Sequence, residues 1–177
     1  MKSITKIIFL AFIIPFSVNA QVKLEKKTFL NNRLELMVPA DFKPMSEEML
    51  NVKYPNTRQK PDLVLTDENG EVNIVISRPP QPMKSEQVGT FKDFQMNSLK
   101  KARPDAKWLK DGVRTINGKN VGYFEFISNA VDQTVFNYYF FTNMDGKVLL
   151  LSFNCTESLL PKWKETAEAI VSSLKVK

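Results

Sequence analysis

Apolar positions recur with period two in several short stretches of the 177-residue chain and with helical period in two longer ones. Leu34, Leu36 and Val38 share one face of a strand that Pro39 ends. Thr28-Phe29-Leu30 and a turn at Asn31-Asn32 make this strand the second arm of a hairpin, with a loose polar lead-in before Lys27. Ser46 caps a short helix through Leu50, and Glu47 and Glu48 occupy the turn where the helix dipole favours anions. A second hairpin runs Leu63-Val64-Leu65-Thr66 and Val72-Asn73-Ile74-Val75-Ile76, reversed at Asn69-Gly70. Pro79, Pro80 and Pro82 then lack the N–H groups that would extend the ladder.

The spacing of Val88, Phe91, Phe94, Leu99 and Ala102 predicts a long helix from Ser85 to Arg103, capped by Ser85 and stopped by Pro104. Strands are predicted at 107–116, 119–128, 134–142 and 147–155, with tight turns at Asn117-Gly118 and Asp145-Gly146. In VFNYYFFT both faces are apolar: Val135, Tyr139 and Phe141 point one way and Phe136, Tyr138 and Phe140 the other. That strand must be covered on both sides. A closing helix from Leu159 to Lys175 supplies one cover through Leu160, Trp163, Ala167, Ile170, Val171 and Leu174. The fold class that follows is α+β: an α/β/α sandwich whose antiparallel sheet of about seven strands carries helices on its faces.

Composition narrows the setting. Lys2 and Lys6 precede an apolar run from Ile7 to Phe16, and Val18-Asn19-Ala20 offers small residues for cleavage, so residues 1–20 read as a signal peptide cut after Ala20. The run is too short for a bilayer-spanning helix, which needs roughly 20 apolar residues. Residues 21–177 then form one domain, periplasmic or secreted and without a stable membrane anchor. The net charge of +6 is spread in mixed-sign segments, which argues against a nucleic-acid partner. One cysteine permits no internal disulfide, and the complete lack of histidine excludes Ser-His-Asp and Cys-His catalysis and His-ligated zinc.

Cys155 alternates with Leu149, Leu151 and Phe153, so it is expected to fill core rather than act as a nucleophile. Asn154-Cys155-Thr156 matches a glycosylation sequon but sits in a predicted strand. Asp67-Glu68-Asn69-Gly70-Glu71 lacks the ordered spacing of a calcium loop and reads as a hairpin tip. Asp41, Glu125 and Asp132 show no pattern of paired catalytic carboxylates. The chain has no GxGxxG, P-loop, GxSxG or CxxC motif. No catalytic residue, cofactor or metal is expected, and the protein is read as a non-enzyme. Most aromatics fall at core positions, with Tyr54 expected to be exposed. Aromatic and cationic side chains in stiff loops anchor interfaces, so Lys53, Tyr54, Arg58 and Arg78 are the candidate partner-binding residues.

The order of LELMVPADF, a short helix running into KYP, the PDLVLTDENGEVNIVIS hairpin, a long helix, ING-turn strands and the closing WKETAEAIVSSL helix resembles the PsbP-like fold. That family includes an extrinsic photosystem protein, a Ran-binding relative and bacterial envelope proteins related to DcrB. The resemblance implies an α/β/α sandwich and a binding or assembly role without catalysis. The expectation is an exported envelope domain that binds another envelope or secreted protein, as an assembly factor or an immunity protein. The alternative is a small-ligand or lipid binder with a pocket between sheet and helix lined by Phe136, Tyr138 and Phe140.

Overall fold

The computed structural model describes residues 22–56, 60–130 and 133–177; the expected signal peptide lies outside them. In chain order the elements are β1 (Leu24–Phe29), β2 (Leu34–Pro39), β3 (Lys43–Pro44), α1 (Glu47–Lys53), β4 (Leu63–Thr66) and β5 (Val72–Ser77). There follow α2 (Val88–Ala102), β6 (Lys107–Ile116), β7 (Lys119–Asn129), β8 (Thr134–Met144), β9 (Lys147–Thr156), α3 (Leu160–Ser172) and β10 (Lys175–Val176). The structure is α+β: seven antiparallel strands in the order β3-β4-β5-β9-β8-β7-β6, with a separate small sheet in the order β1-β2-β10.

Turn chemistry sets the meander from β6 to β9. Asn117 (φ 47°) and Gly118 (φ 79°), like Asp145 (φ 55°) and Gly146 (φ 74°), take the two positive dihedrals a two-residue hairpin needs. Strand alternation then divides the side chains between two layers. On one side Ile74, Ile76, Phe136, Tyr138, Phe140, Leu149, Leu151, Phe153 and Cys155 meet Trp163, Ala167, Ile170 and Val171 of α3. Leu34, Leu36 and Val38 of β2 belong to the same buried cluster. Each large apolar side chain so buried contributes about 1.5–3 kcal/mol, which is what holds a short helix to a sheet.

On the opposite side α2 lays Val88, Phe91 and Met96 over Phe124, Phe126, Phe141 and Val148. The approach is close because β7 carries Gly122 beneath the helix. A Cβ there would stand 2.5 Å from the Phe141 ring and 3.1 Å from Val88. The short α1, capped by Ser46 Oγ accepting from Met49 N–H at 3.3 Å, packs Met49 and Leu50 on Met45, Val64 and Val75.

Several expectations change. The lead-in before Lys27 is part of β1, since Lys26 pairs with Met37. The closing helix ends at Ser172, and Lys175 instead pairs with Glu35 in β10. Ser85 does not cap α2; it opens a 3₁₀ turn that precedes the helix. Phe94 is 59% exposed and Ala102 is also exposed, because α2 buries only Val88, Phe91 and Met96 against the sheet.

Candidate functional site

Two helices share one face of the large sheet without meeting over its middle. α1 covers β4 and β5, while α2 covers β7, β8 and the start of β9. Between them lies a groove of about 300 Å³ whose walls and floor include Tyr54, Pro61, Ser77, Tyr139, Ser152 and Asn154. Among the described residues that line it, none is charged.

The strand registers decide what the floor presents. Val75 pairs with Ser152 and Ser152 with Tyr139, giving one row across β5, β9 and β8. The next row holds three carboxamides, of which Asn154 lines the groove, because Asn73 pairs with Asn154 and Asn154 with Asn137. Asn73, 5% exposed, donates through Nδ2 to Gly70 O at 3.2 Å and to Asn154 Oδ1 at 2.9 Å. Those two bonds fix its amide orientation and leave Asn73 Oδ1 buried with no hydrogen bond among the described residues. Asn137 Nδ2 is held by Val135 O at 3.1 Å and Ser128 Oγ at 3.3 Å.

Two phenols flank this floor. Tyr139 stacks against its cross-strand neighbours Phe124 (ring centroids 5.3 Å apart) and Phe126 (5.8 Å), which hold its ring from the β7 side. Burial raises the Tyr139 pKa, and burial together with the neighbouring Tyr139 pushes Tyr54 up to about 12. Both therefore stay neutral at physiological pH and serve as hydrogen-bonding groups rather than bases.

Residues 35–173 match the family model described as DcrB. The chain belongs to the DcrB family. Its fold is PsbP-like: cyanobacterial PsbP (CyanoP) from Synechocystis sp. PCC 6803 superimposes with a TM-score of 0.61 at 15% identity, covering 93% of this chain and 99% of that one. LpqN of Mycobacterium tuberculosis, described as involved in cell envelope biogenesis, gives 0.56 at 12% identity and covers 90% and 93%. The Pseudomonas aeruginosa protein PA94, described as a putative regulator, gives 0.52 at 13% identity over 87% and 97%. No curated protein matches the chain significantly.

In this DcrB-family chain three of the four loop residues expected to form a contact surface, Lys53, Tyr54 and Arg78, are held by different contacts. Tyr54 is half-buried rather than exposed, packed with Met45, Val64 and Val75, and it forms a wall of the groove. Lys53 turns inward to donate to Gly70 O, and burial lowers its pKa against the opposing pull of Asp67 and Glu71. Arg78 is clamped by Asp62, which accepts from Nη2 at 2.6 Å and from the Arg78 backbone N–H at 2.7 Å. It lines a separate cavity of about 360 Å³ with Asp145 and Lys147. Arg58 lies outside the described residues, as does Asp132.

Phe136, Tyr138 and Phe140 do not line a ligand pocket; each is at most 1% exposed in the packed layer under α3. Cys155 lies in the same layer at 0% exposure, with its thiol pKa pushed up to about 12 by burial. At the edge of that layer Glu168 of α3 accepts from Lys110 (2.8 Å), Arg114 (3.1 Å) and Tyr138 (3.2 Å). Glu125, 5% exposed, stands 3.9 Å from the same Lys110, and Asp41 is exposed elsewhere. Glu125 and Glu168 share Lys110 in an ion cluster that clips α3 to β6–β8. Among the described residues no group of three or more His, Cys, Asp or Glu could hold a metal ion, and no helix is long and apolar enough to cross a membrane.

The carboxamide row is what sequence reasoning passed over. Asn73 and Asn154 are 81 positions apart, and no local pattern says that their strands are neighbours. A polar residue at an inward position of three otherwise apolar strands was the available signal.

Proposed function

We propose that the chain is a non-catalytic binding protein of the bacterial cell envelope and that the groove between α1 and α2 is where it binds. The observation that carries this reading is the groove of about 300 Å³ on one face of the large sheet, walled by Tyr54 and Tyr139. A groove walled by tyrosines and lined by Ser77, Ser152 and Asn154 has the concave shape and the few placed polar groups of a ligand site. Its neutral phenols and amides can hold a ligand but offer no acid–base pair matched to pH 7. The signal-like first twenty residues support export, and membership of the DcrB family supports the envelope setting.

Isotope-labelled mature protein titrated with solubilised envelope extract should show amide shifts concentrated on β5, β8 and β9. Ser77→Trp places an indole at the groove rim and should abolish them while the melting temperature is retained. Shifts clustered on another surface, or shifts that survive Ser77→Trp, would overturn the assignment.

A further inference from the structure

The two edges of the seven-stranded sheet differ. β3 has two residues and ends in Pro44, so it offers little backbone to pair with. β6 at the other edge has ten, and among the described residues no strand pairs with its outer side. Its register with β7 is regular from Lys110 to Ile116, the one shift lying between Trp108 and Lys110. Residues 110–116 therefore present an extended backbone to which a further strand can add.

The side chains of an added strand would meet different chemistry on the two faces of this edge. On the α2 side Val113 is 46% exposed, and the helix passes it at Gly89. A Cβ at Gly89 would meet Val113 Cγ2 at 3.8 Å, an ordinary contact, and Gly89 takes no positive φ, so the fold itself does not call for glycine there. Glycine inside a helix lowers its stability; here it leaves a notch above an exposed valine. Asp111, on the same side, is held by Lys92 of α2. On the α3 side Lys110 and Arg114 flank Gly112 and share Glu168, at 2.8 and 3.1 Å, while the Lys110 side chain stays half exposed. A residue placed opposite Gly112 stands between these two cations, and its neighbour opposite Val113 falls on the other face, over the notch. A second copy of the chain suits the edge poorly. Two β6 strands joined through a twofold axis would bring both copies' Lys110 and Arg114 to one face of the continuous sheet, where like charges oppose.

We infer that the edge of β6 takes up an extended segment of a partner protein in which acidic and apolar side chains alternate, the acidic one beside Lys110 and Arg114 and the apolar one over Gly89 and Val113. Main-chain pairing supplies the affinity, and these two contacts fix the register. The surface is separate from the groove between α1 and α2 and does not depend on it.

The test is titration of the isotope-labelled mature chain with a capped nonapeptide alternating valine and glutamate, beside the same peptide with lysine for glutamate. The glutamate peptide should shift β6 amides and slow their exchange with solvent, and the lysine peptide should do neither. Gly89→Leu fills the notch and favours the helix, so it should keep or raise the melting temperature while weakening the peptide about tenfold. Val113→Lys, at an exposed position, should abolish binding and still fold, as a thermal melt establishes. Absence of β6 shifts with the glutamate peptide, equal shifts with the lysine peptide, or binding that survives Gly89→Leu overturns the inference. So does exchange in β6 that slows with protein concentration when no peptide is present, which would make a second copy the occupant.

Discussion

Glu125 and Glu168 both lie within 4 Å of Lys110, yet their surroundings drive them in opposite directions. Burial dominates at Glu125 and raises its pKa despite Lys110. Burial acts on Glu168 too, but hydrogen bonds and charge from Lys110 and Arg114 outweigh it and the pKa is lowered. A carboxyl that holds its proton more tightly when folded favours the fold at acid pH, and that contribution is lost as pH rises through its folded pKa. Glu125→Gln should therefore raise the melting temperature at pH 7, with the gain vanishing below about pH 4, where an ordinary glutamate is already protonated. Glu168 follows the reverse rule: its contribution is present above the ordinary carboxylate pKa and disappears as pH falls through the lowered value. Glu168→Gln should lower the melting temperature by several degrees at pH 7 and by much less at pH 3. Paired melts at the two pH values check both signs. At Cys155 the expectation is kinetic. A small disulfide reagent should label the thiol only as fast as the protein unfolds, because the sulfur is sealed and its thiolate is disfavoured.

Among the elements, α1 and α2 are held by different means and should fail differently. Gly122 lets α2 sit on the sheet, and the atoms a methyl group would meet belong to a fully buried ring and to Val88, neither free to swing away. Gly122→Ala should cost about 1–3 kcal/mol, the usual penalty for overpacking a filled core, read as a shifted denaturation midpoint with unchanged slope. α1 has seven residues and none is buried, so its cap counts for more. Ser46→Ala should cost about 1 kcal/mol and speed amide exchange in residues 47–53 before it affects the rest of the sheet. Alternation and turn residues made most strands legible, because Leu34, Leu36 and Val38 or Asn117-Gly118 carry their own geometry. Alternation states which side chains are inward but not which strand lies beside which. That is why the split of the β1-β2 hairpin and β10 into a small sheet of their own, and the asparagine row of the large one, stayed hidden. Phe94 misled for a related reason: helical spacing marks a stripe, while the width of stripe that is covered depends on the surface it packs against.

Across the whole molecule, nonlocal pairing dominates. β2 is clasped between β1 and β10, and Val176, 8% exposed, closes its far edge while the Lys177 backbone N–H donates to Arg33 O at 2.9 Å. Loss of residues 175–177 should remove about 2 kcal/mol through the exposed Val176 contact and the bared strand edge, visible as increased binding of an apolar dye before global melting. The arrangement also imposes an order in time. The pairing of Lys175 and Val176 with Glu35 and Leu34 joins distant parts of the sequence, so it closes a long loop and should form after the local hairpins of the large sheet.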